Sequence, residues 1–325
     1  MKPRPVSGDG RLVAPGTPAA RRQRGAALLT AMIIVTLVVT LAGSMLWQQW
    51  RAVQVEAAER ARTQAAWMLS GALDWARLIL KEDAKTGRPT SLNEPWATPF
   101  EEARLSTFLA ADTAHAEDAP DAFLSGSITD AQSRYNLMNL SEQGKVVDAE
   151  REALERLCQN LGLATEVASR IANALNDAVS GAPGAPLLPR SVAQLGWLGV
   201  EPDTVRQLAP YVTLLPVATP VNLNTASREV LSAAIKGLDL ASAERLVQAR
   251  QRSAFKALSM VEQLLPTLAP LDPKRLAVNS SFFEVRGRLR LLDRVLEERS
   301  LVQRKGRDAT VVQRERVSSR EAGGF

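Results

Sequence analysis

The sequence predicts an α+β protein in which a long N-terminal helix packs on a small antiparallel sheet, with a large all-α insertion domain between the sheet strands. Three observations predict it. Residues 26–50 carry no charged side chain and run directly into a stretch rich in Ala, Glu, Arg and Gln that remains helix-forming to about residue 81. Residues 282–291 mix Phe282, Val285, Gly287, Leu289 and Leu291 with Glu284, Arg286, Arg288 and Arg290 in a period-two alternation, which suits a strand with one buried and one wet face. Between these segments, residues 148–276 show helical periodicity punctuated by prolines.

At the N-terminus, Arg21-Arg22-Gln23-Arg24-Gly25 abuts Ala26-Ala27-Leu28-Leu29 and an apolar run with no charge until Arg51. About 20 apolar residues at roughly 1.5 Å rise each cross a bilayer, so this run provides one span. Basic flanks stay on the cytoplasmic side, which sets the N-terminus inside and the remainder outside. Trp47 and Trp50 close the span where indoles favour the interface. A secretory signal peptide, with Ala42-Gly43-Ser44 as its late cleavage site, and an unprocessed signal anchor are the alternatives. A basic leader that ends in glycine before the apolar helix resembles a type IV pilin-like precursor. That resemblance implies cleavage between Gly25 and Ala26 and N-methylation of Ala26.

Charge looks different once the leader is set apart. The whole chain is formally +5, but residues 1–25 hold six of the 40 basic and one of the 35 acidic side chains, leaving 34 of each. A neutral remainder has no global attraction to phosphate backbones. The single cysteine, Cys158, excludes an intrachain disulfide and falls on a Leu154, Leu157, Leu161 stripe, as a buried structural thiol would. The only histidine, His115, has no partner at metal-ligand or catalytic spacing, and no HExxH, GxSxG, Walker-type loop or CxxC pair occurs. These absences argue against an enzyme.

Along the chain, Trp67, Leu69, Leu73 and Leu80 recur at helical spacing, so the exported part of the long helix is amphipathic. Residues 88–121 read as a proline-punctuated acidic loop, and residues 126–140 as strand, turn and strand. Helices are expected over 149–161, 165–179, 191–198, 202–211, 226–235, 240–252 and 259–264. Further strands are expected over 295–304 and 309–317, joined at Gly306. The resulting organisation is a leader (1–25), a transmembrane helix (26–50), a first sheet part (51–147), the helical insertion (148–276), C-terminal strands (277–317) and a frayed tail (318–325).

The Arg24-Gly25/Ala26 step, the helical insertion and Pro220-Val221-Asn222-Leu223-Asn224-Thr225-Ala226 inside it together resemble the K-type minor pseudopilins of the type II secretion system, over nearly the whole length. The resemblance implies a type IV pilin-like fold and a non-enzymatic subunit at the tip of the periplasmic pseudopilus. It implies I- and J-type minor pseudopilins, the major pseudopilin, the prepilin peptidase and the inner-membrane secretion platform as partners, and an inner-membrane, single-pass location. Thr30, fifth from Ala26, stands where most pilin-like subunits carry Glu and where K-type members lack it. A carboxylate in lipid costs about 2.5–3.5 kcal/mol unless paired, whereas a threonine hydroxyl bonds locally to a helix carbonyl.

Val221–Ala226, a helix, Gly237-Leu238-Asp239 and a second helix resemble a helix-hairpin-helix, which would make the chain a membrane-anchored DNA-binding protein. Asp239 opposes that, placing a carboxylate where phosphate would approach, and Asn222 and Thr225 read instead as helix-capping groups. A minor pilin of a type IV pilus is the other alternative. The K-type resemblance also implies calcium in the pilin-like domain. Asp112, Glu117, Asp118 and Asp121 are the available carboxylates, Asn176 and Asp177 stand where more acidic residues were expected, and no ligands are assigned.

Overall fold

The computed structural model describes residues 20–104, 122–181, 183–266, 268, 270–291 and 294–320. The chain divides into two compact units, residues 1–63 and 64–325. Helix α1 (Ala20–Lys85) is one continuous element. In the first unit every described side chain from Ala26 to Ala57 is exposed, and α1 is the one helix among the described residues long and apolar enough to cross a membrane. Glu56–Arg60 and Glu59–Arg62 ion pairs follow on its surface at helical spacing.

In the second unit, α1 buries Ala65, Leu69, Leu73, Ala76 and Leu80. The 3–4 spacing of these residues lays one stripe on the sheet. Trp67 is not part of that stripe: it is 74% exposed, because its position turns it away from the sheet. The sheet has five antiparallel strands in the order β1 (Phe100–Arg104), β2 (Ala122–Asp130), β9 (Phe282–Leu291), β10 (Arg294–Lys305) and β11 (Asp308–Arg320). Strand β1 was expected to be loop. It forms within the proline-rich segment because β2 pairs with it, across a register shift between Phe100 and Ala103. The final strand continues to Arg320, beyond the expected end at 317, since β10 pairs with it along its whole length.

Between β2 and β9 the chain builds the helical block from α2 (Asp148–Asn160), α3 (Glu166–Ser180), α4 (Pro202–Leu208), α5 (Arg228–Ala234), α6 (Leu240–Arg252) and α7 (Leu258–Leu264), with a 3-10 helix at Val192–Leu198. Two-residue strands β3 (Tyr135–Asn136) and β6 (Val212–Thr213) pair in parallel, as do β7 (Val221–Asn222) and β8 (Leu276–Ala277), while β4 (Ser141–Glu142) and β5 (Lys145–Val146) form a small hairpin. Residues 126–140 are expected as strand, turn and strand; Tyr135–Asn136 is the second strand, but its partner is β6 and not the sheet. Tyr135, Leu137 and Leu140 accordingly lie in the core of the block with Leu154, Leu157, Ile171, Leu175, Leu231 and Leu246. The sheet layer has its own core of Leu73, Ala76, Leu80, Trp96, Phe283, Val285, Val302 and Ala309.

Candidate functional site

At the N-terminal step, Gly25 and Ala26 lie within α1 and are followed by Thr30, whose hydroxyl donates to the Ala26 carbonyl at 2.9 Å. Thr36 and Thr40 make the same kind of bond one turn back. Hydroxyls satisfied on their own helix present little unpaired polarity to lipid, which is what a bilayer demands of a spanning segment.

The second candidate is the joint between sheet and helical block. Its hub is Asp130, at the end of β2. Asp130 Oδ2 accepts from Ser280 Oγ (2.6 Å), Thr225 Oγ1 (2.6 Å) and Asn222 Nδ2 (2.9 Å), and Oδ1 accepts from the Gln132 backbone N–H (2.8 Å). Burial pushes the Asp130 carboxyl upward, and these donors pull against it. Asn222 Nδ2 also donates to Thr90 O at 3.0 Å, and Asn224 exchanges bonds with the Phe255 backbone through Oδ1 and Nδ2. Arg304, on β10, donates to Asp83 Oδ2 (2.6 Å), Thr90 Oγ1 (2.7 Å) and Ser280 O (3.1 Å). One buried polar network thus ties the end of α1, two sheet strands and the block.

This changes the expected role of Asn222 and Thr225. The N-cap of α5 is Ser227, whose Oγ accepts from the Val230 N–H, so Asn222 and Thr225 are free to serve the joint. Sequence reasoning missed Asp130 and Ser280. The available signal was the density of Asn and Thr within apolar Val221–Ala226, since buried amides and hydroxyls require partners.

The expected hairpin of α5 and α6 does form, with Gly237 at φ 83° in its turn. Asp239 caps α6 by accepting from the Ser242 N–H at 2.7 Å. Three basic side chains of the hairpin have partners within the protein: Lys236 with Glu152 at 3.3 Å, Arg228 with Glu229 at 2.8 Å, and buried Arg250 with the Leu223 carbonyl at 2.7 Å. Burial lowers the Arg250 pKa to about 10. Cys158 is fully buried and its thiol is pushed up to about 11 by burial, as a structural residue of the α2 stripe.

His115 and the carboxylates Asp112, Glu117, Asp118 and Asp121 lie outside the described residues. Among the described residues no group of three His, Cys, Asp or Glu stands together to hold a metal ion, and Asn176 accepts from Ser141 Oγ at 2.8 Å. The calcium expectation therefore finds no described ligand set.

Residues 133–217 and 221–279 match two family models described as type II secretion system, protein K. The type II secretion system protein K of Pectobacterium carotovorum is 30% identical, over 90% of this chain and 96% of that protein. The chain belongs to this family. The protein K of Pseudomonas aeruginosa is 27% identical over 93% of this chain and 94% of its own length. Among solved structures, the crystal structure of the GspK–GspI–GspJ complex from enterotoxigenic Escherichia coli matches with a TM-score of 0.61 and 20% identity, over 81% of this chain and 99% of the matched one. That likeness places the helix, sheet and helical block in the fold of the protein K family. The second family model begins at the motif Val221–Ala226, the segment that here closes the joint.

Proposed function

We propose that this chain is a minor pseudopilin that forms the tip of the pseudopilus with I- and J-type minor pseudopilins and supports export of folded proteins across the outer membrane. Membership of the protein K family carries the reading. The observation that favours the tip over the shaft is Thr30, which takes its own helix carbonyl where a carboxylate would need a neighbour's amine. A capping subunit lacks one axial neighbour, so it has no use for that carboxylate. In this reading the prepilin peptidase cuts between Gly25 and Ala26, Ala26 is N-methylated, and the span over residues 26–50 of α1 remains in the inner membrane with the rest of the mature chain in the periplasm. The role is mechanical. No catalytic residue is assigned, and neither DNA binding nor a type IV pilus is favoured by any feature of the site.

The test is affinity capture of the full chain, extracted from membranes, with its I- and J-type counterparts. A stable ternary complex is expected, with an interface on the order of 1,200–2,000 Å². Intact mass should show a chain beginning at methylated Ala26, and labelled protein should mark one filament end. Separate subunits at about tens of micromolar, together with label along the shaft, would remove the tip assignment.

A further inference from the structure

The two edges of the five-stranded sheet are unlike. Strand β1 is short and its pairing is broken by a register shift, which blunts it as a template. Strand β11, at the other edge, runs thirteen residues.

The register fixes which way the β11 backbone groups point. Lys305 and Asp308 flank a two-residue turn and so form a hydrogen-bonded pair. Alternate residues of β10 then face β11, pairing Gln303 with Thr310 and, past the bulge between Leu301 and Val302, Leu301 with Gln313, Arg299 with Glu315 and Glu297 with Val317. Ala309, Arg314, Arg316, Ser318 and Arg320 consequently turn their N–H and C=O groups outward. Ala309 is the check on this assignment: its outward carbonyl accepts from Arg77 Nε at 2.9 Å. Among the described residues, none of the hydrogen bonds takes up the outward groups of residues 314–320.

Charge selects the occupant. Arg314 and Arg316 share one buried carboxylate, Glu298, at 3.0 and 2.7 Å, while their own side chains remain 33% and 51% exposed. Two guanidiniums on one carboxylate leave a net positive face along the edge. A second copy of the chain fits poorly, because antiparallel self-pairing centred at 314, 315, 316 or 317 sets an arginine opposite an arginine. We propose that the outer edge of β11 over residues 314–320 is a strand-addition site for an extended segment of another protein that carries acidic residues at alternate positions.

The probe is a labelled ten-residue peptide alternating valine and glutamate, titrated onto the full chain in detergent, with a valine–lysine peptide as control. The acidic peptide should bind at least about tenfold more tightly than the basic one and lose affinity as salt rises. Ser318→Pro deletes an outward N–H while leaving the β10 ladder its partners, and should weaken binding by about tenfold. Hydrogen exchange supplies the readout independent of that variant: the amides of Arg314, Arg316 and Ser318 should exchange fast in the free protein and slow on binding, while those of Gln313 and Glu315 are slow throughout. Equal affinity for both peptides, no binding at about millimolar peptide, or outward amides already protected in the free protein would each overturn the proposal.

Discussion

The helical block and the sheet layer bury apolar residues in different ways. In the block, Leu154, Leu157, Ile171 and Leu175 are all fully buried and interlock between α2 and α3. Under α1, the sheet instead sets Gly126 opposite Gly287 in register and leaves an apolar cavity of about 660 Å³ bordered by Leu73, Trp75, Trp96 and Phe100. Close approach requires glycine at 126, where a Cβ would come within 2.9 Å of the Arg286 carbonyl, while one at Gly287 would press on Leu69 Cδ2 at 3.1 Å. The block is filled by a large apolar core, while the layer combines a smaller one with strand pairing and the Asp130 joint. The two regions should therefore respond differently to the same substitution.

The joint is the place to break the comparison. Asp130→Ala strands the donors of Ser280, Thr225 and Gln132 in a buried site and removes one of the acceptors of Asn222, and should cost roughly 3–5 kcal/mol. Urea unfolding of the full chain in detergent should then separate into two transitions, one per region. A single transition within about 1 kcal/mol of the parent would mean that the network does not couple them.

Matched leucine truncations sharpen the contrast. Leu157→Ala, in the close-packed block, should cost roughly 3–5 kcal/mol, and Leu73→Ala, beside space that already exists, nearer 2 kcal/mol. Equal losses by thermal or chemical unfolding would show that the cavity closes in solution.

Acid should act on the layer through Glu284. Burial raises its carboxyl, but the Arg134 guanidinium at 2.7 Å and Arg286 outweigh burial and hold it below the ordinary value of 4.5. A depressed carboxylate contributes stability that is present above its unfolded-state value and is lost as pH falls through the folded one. Arg134→Gln should therefore destabilise by roughly 1.5–3 kcal/mol at neutral pH and progressively less below 4.5. A difference that stays constant with pH would remove Glu284 from the account. Asp130 has the opposite sign: its carboxyl is raised, so its contribution fades as pH rises through the raised value.

The smallest expected effect is a gain. Gly71 lies in the α1 interior, exposed, with nothing within 4 Å of an added Cβ, so Gly71→Ala should stabilise by about 0.5–1 kcal/mol. A loss on thermal unfolding would indicate that the solvent face of α1 is occupied.

The same contrast governs what could be read from the chain. Helix α6 was legible to the residue over 240–252, because Asp239 caps it and Leu246 and Ala243 mark its buried face. Strands β9 to β11 were legible because their alternation and the Gly306 turn are local signals. Trp67 misled because helical spacing alone does not reveal which of two apolar faces meets the sheet. Strand β1 has no pattern of its own and exists through β2. The joint was hidden for a related reason: Thr90, Asp130, Asn222 and Ser280 are far apart in sequence, and no periodicity links them.

The register of β2 with β9 has a topological consequence. Asp130 and Phe283 are opposed in the ladder, so the chain departs into the helical block and returns from it one strand spacing away. Seen from the sheet, everything from Ala131 to Ser281 is the turn of a single β-hairpin, enlarged into a folded body. Loop closure grows only logarithmically with length, by about 0.6 kcal/mol per doubling, so a hairpin tolerates such an enlargement. The same reasoning makes the excursion separable. A short turn joining Asp130 to Phe282 would leave every strand partner in place, with the bare sheet and helix as what remains.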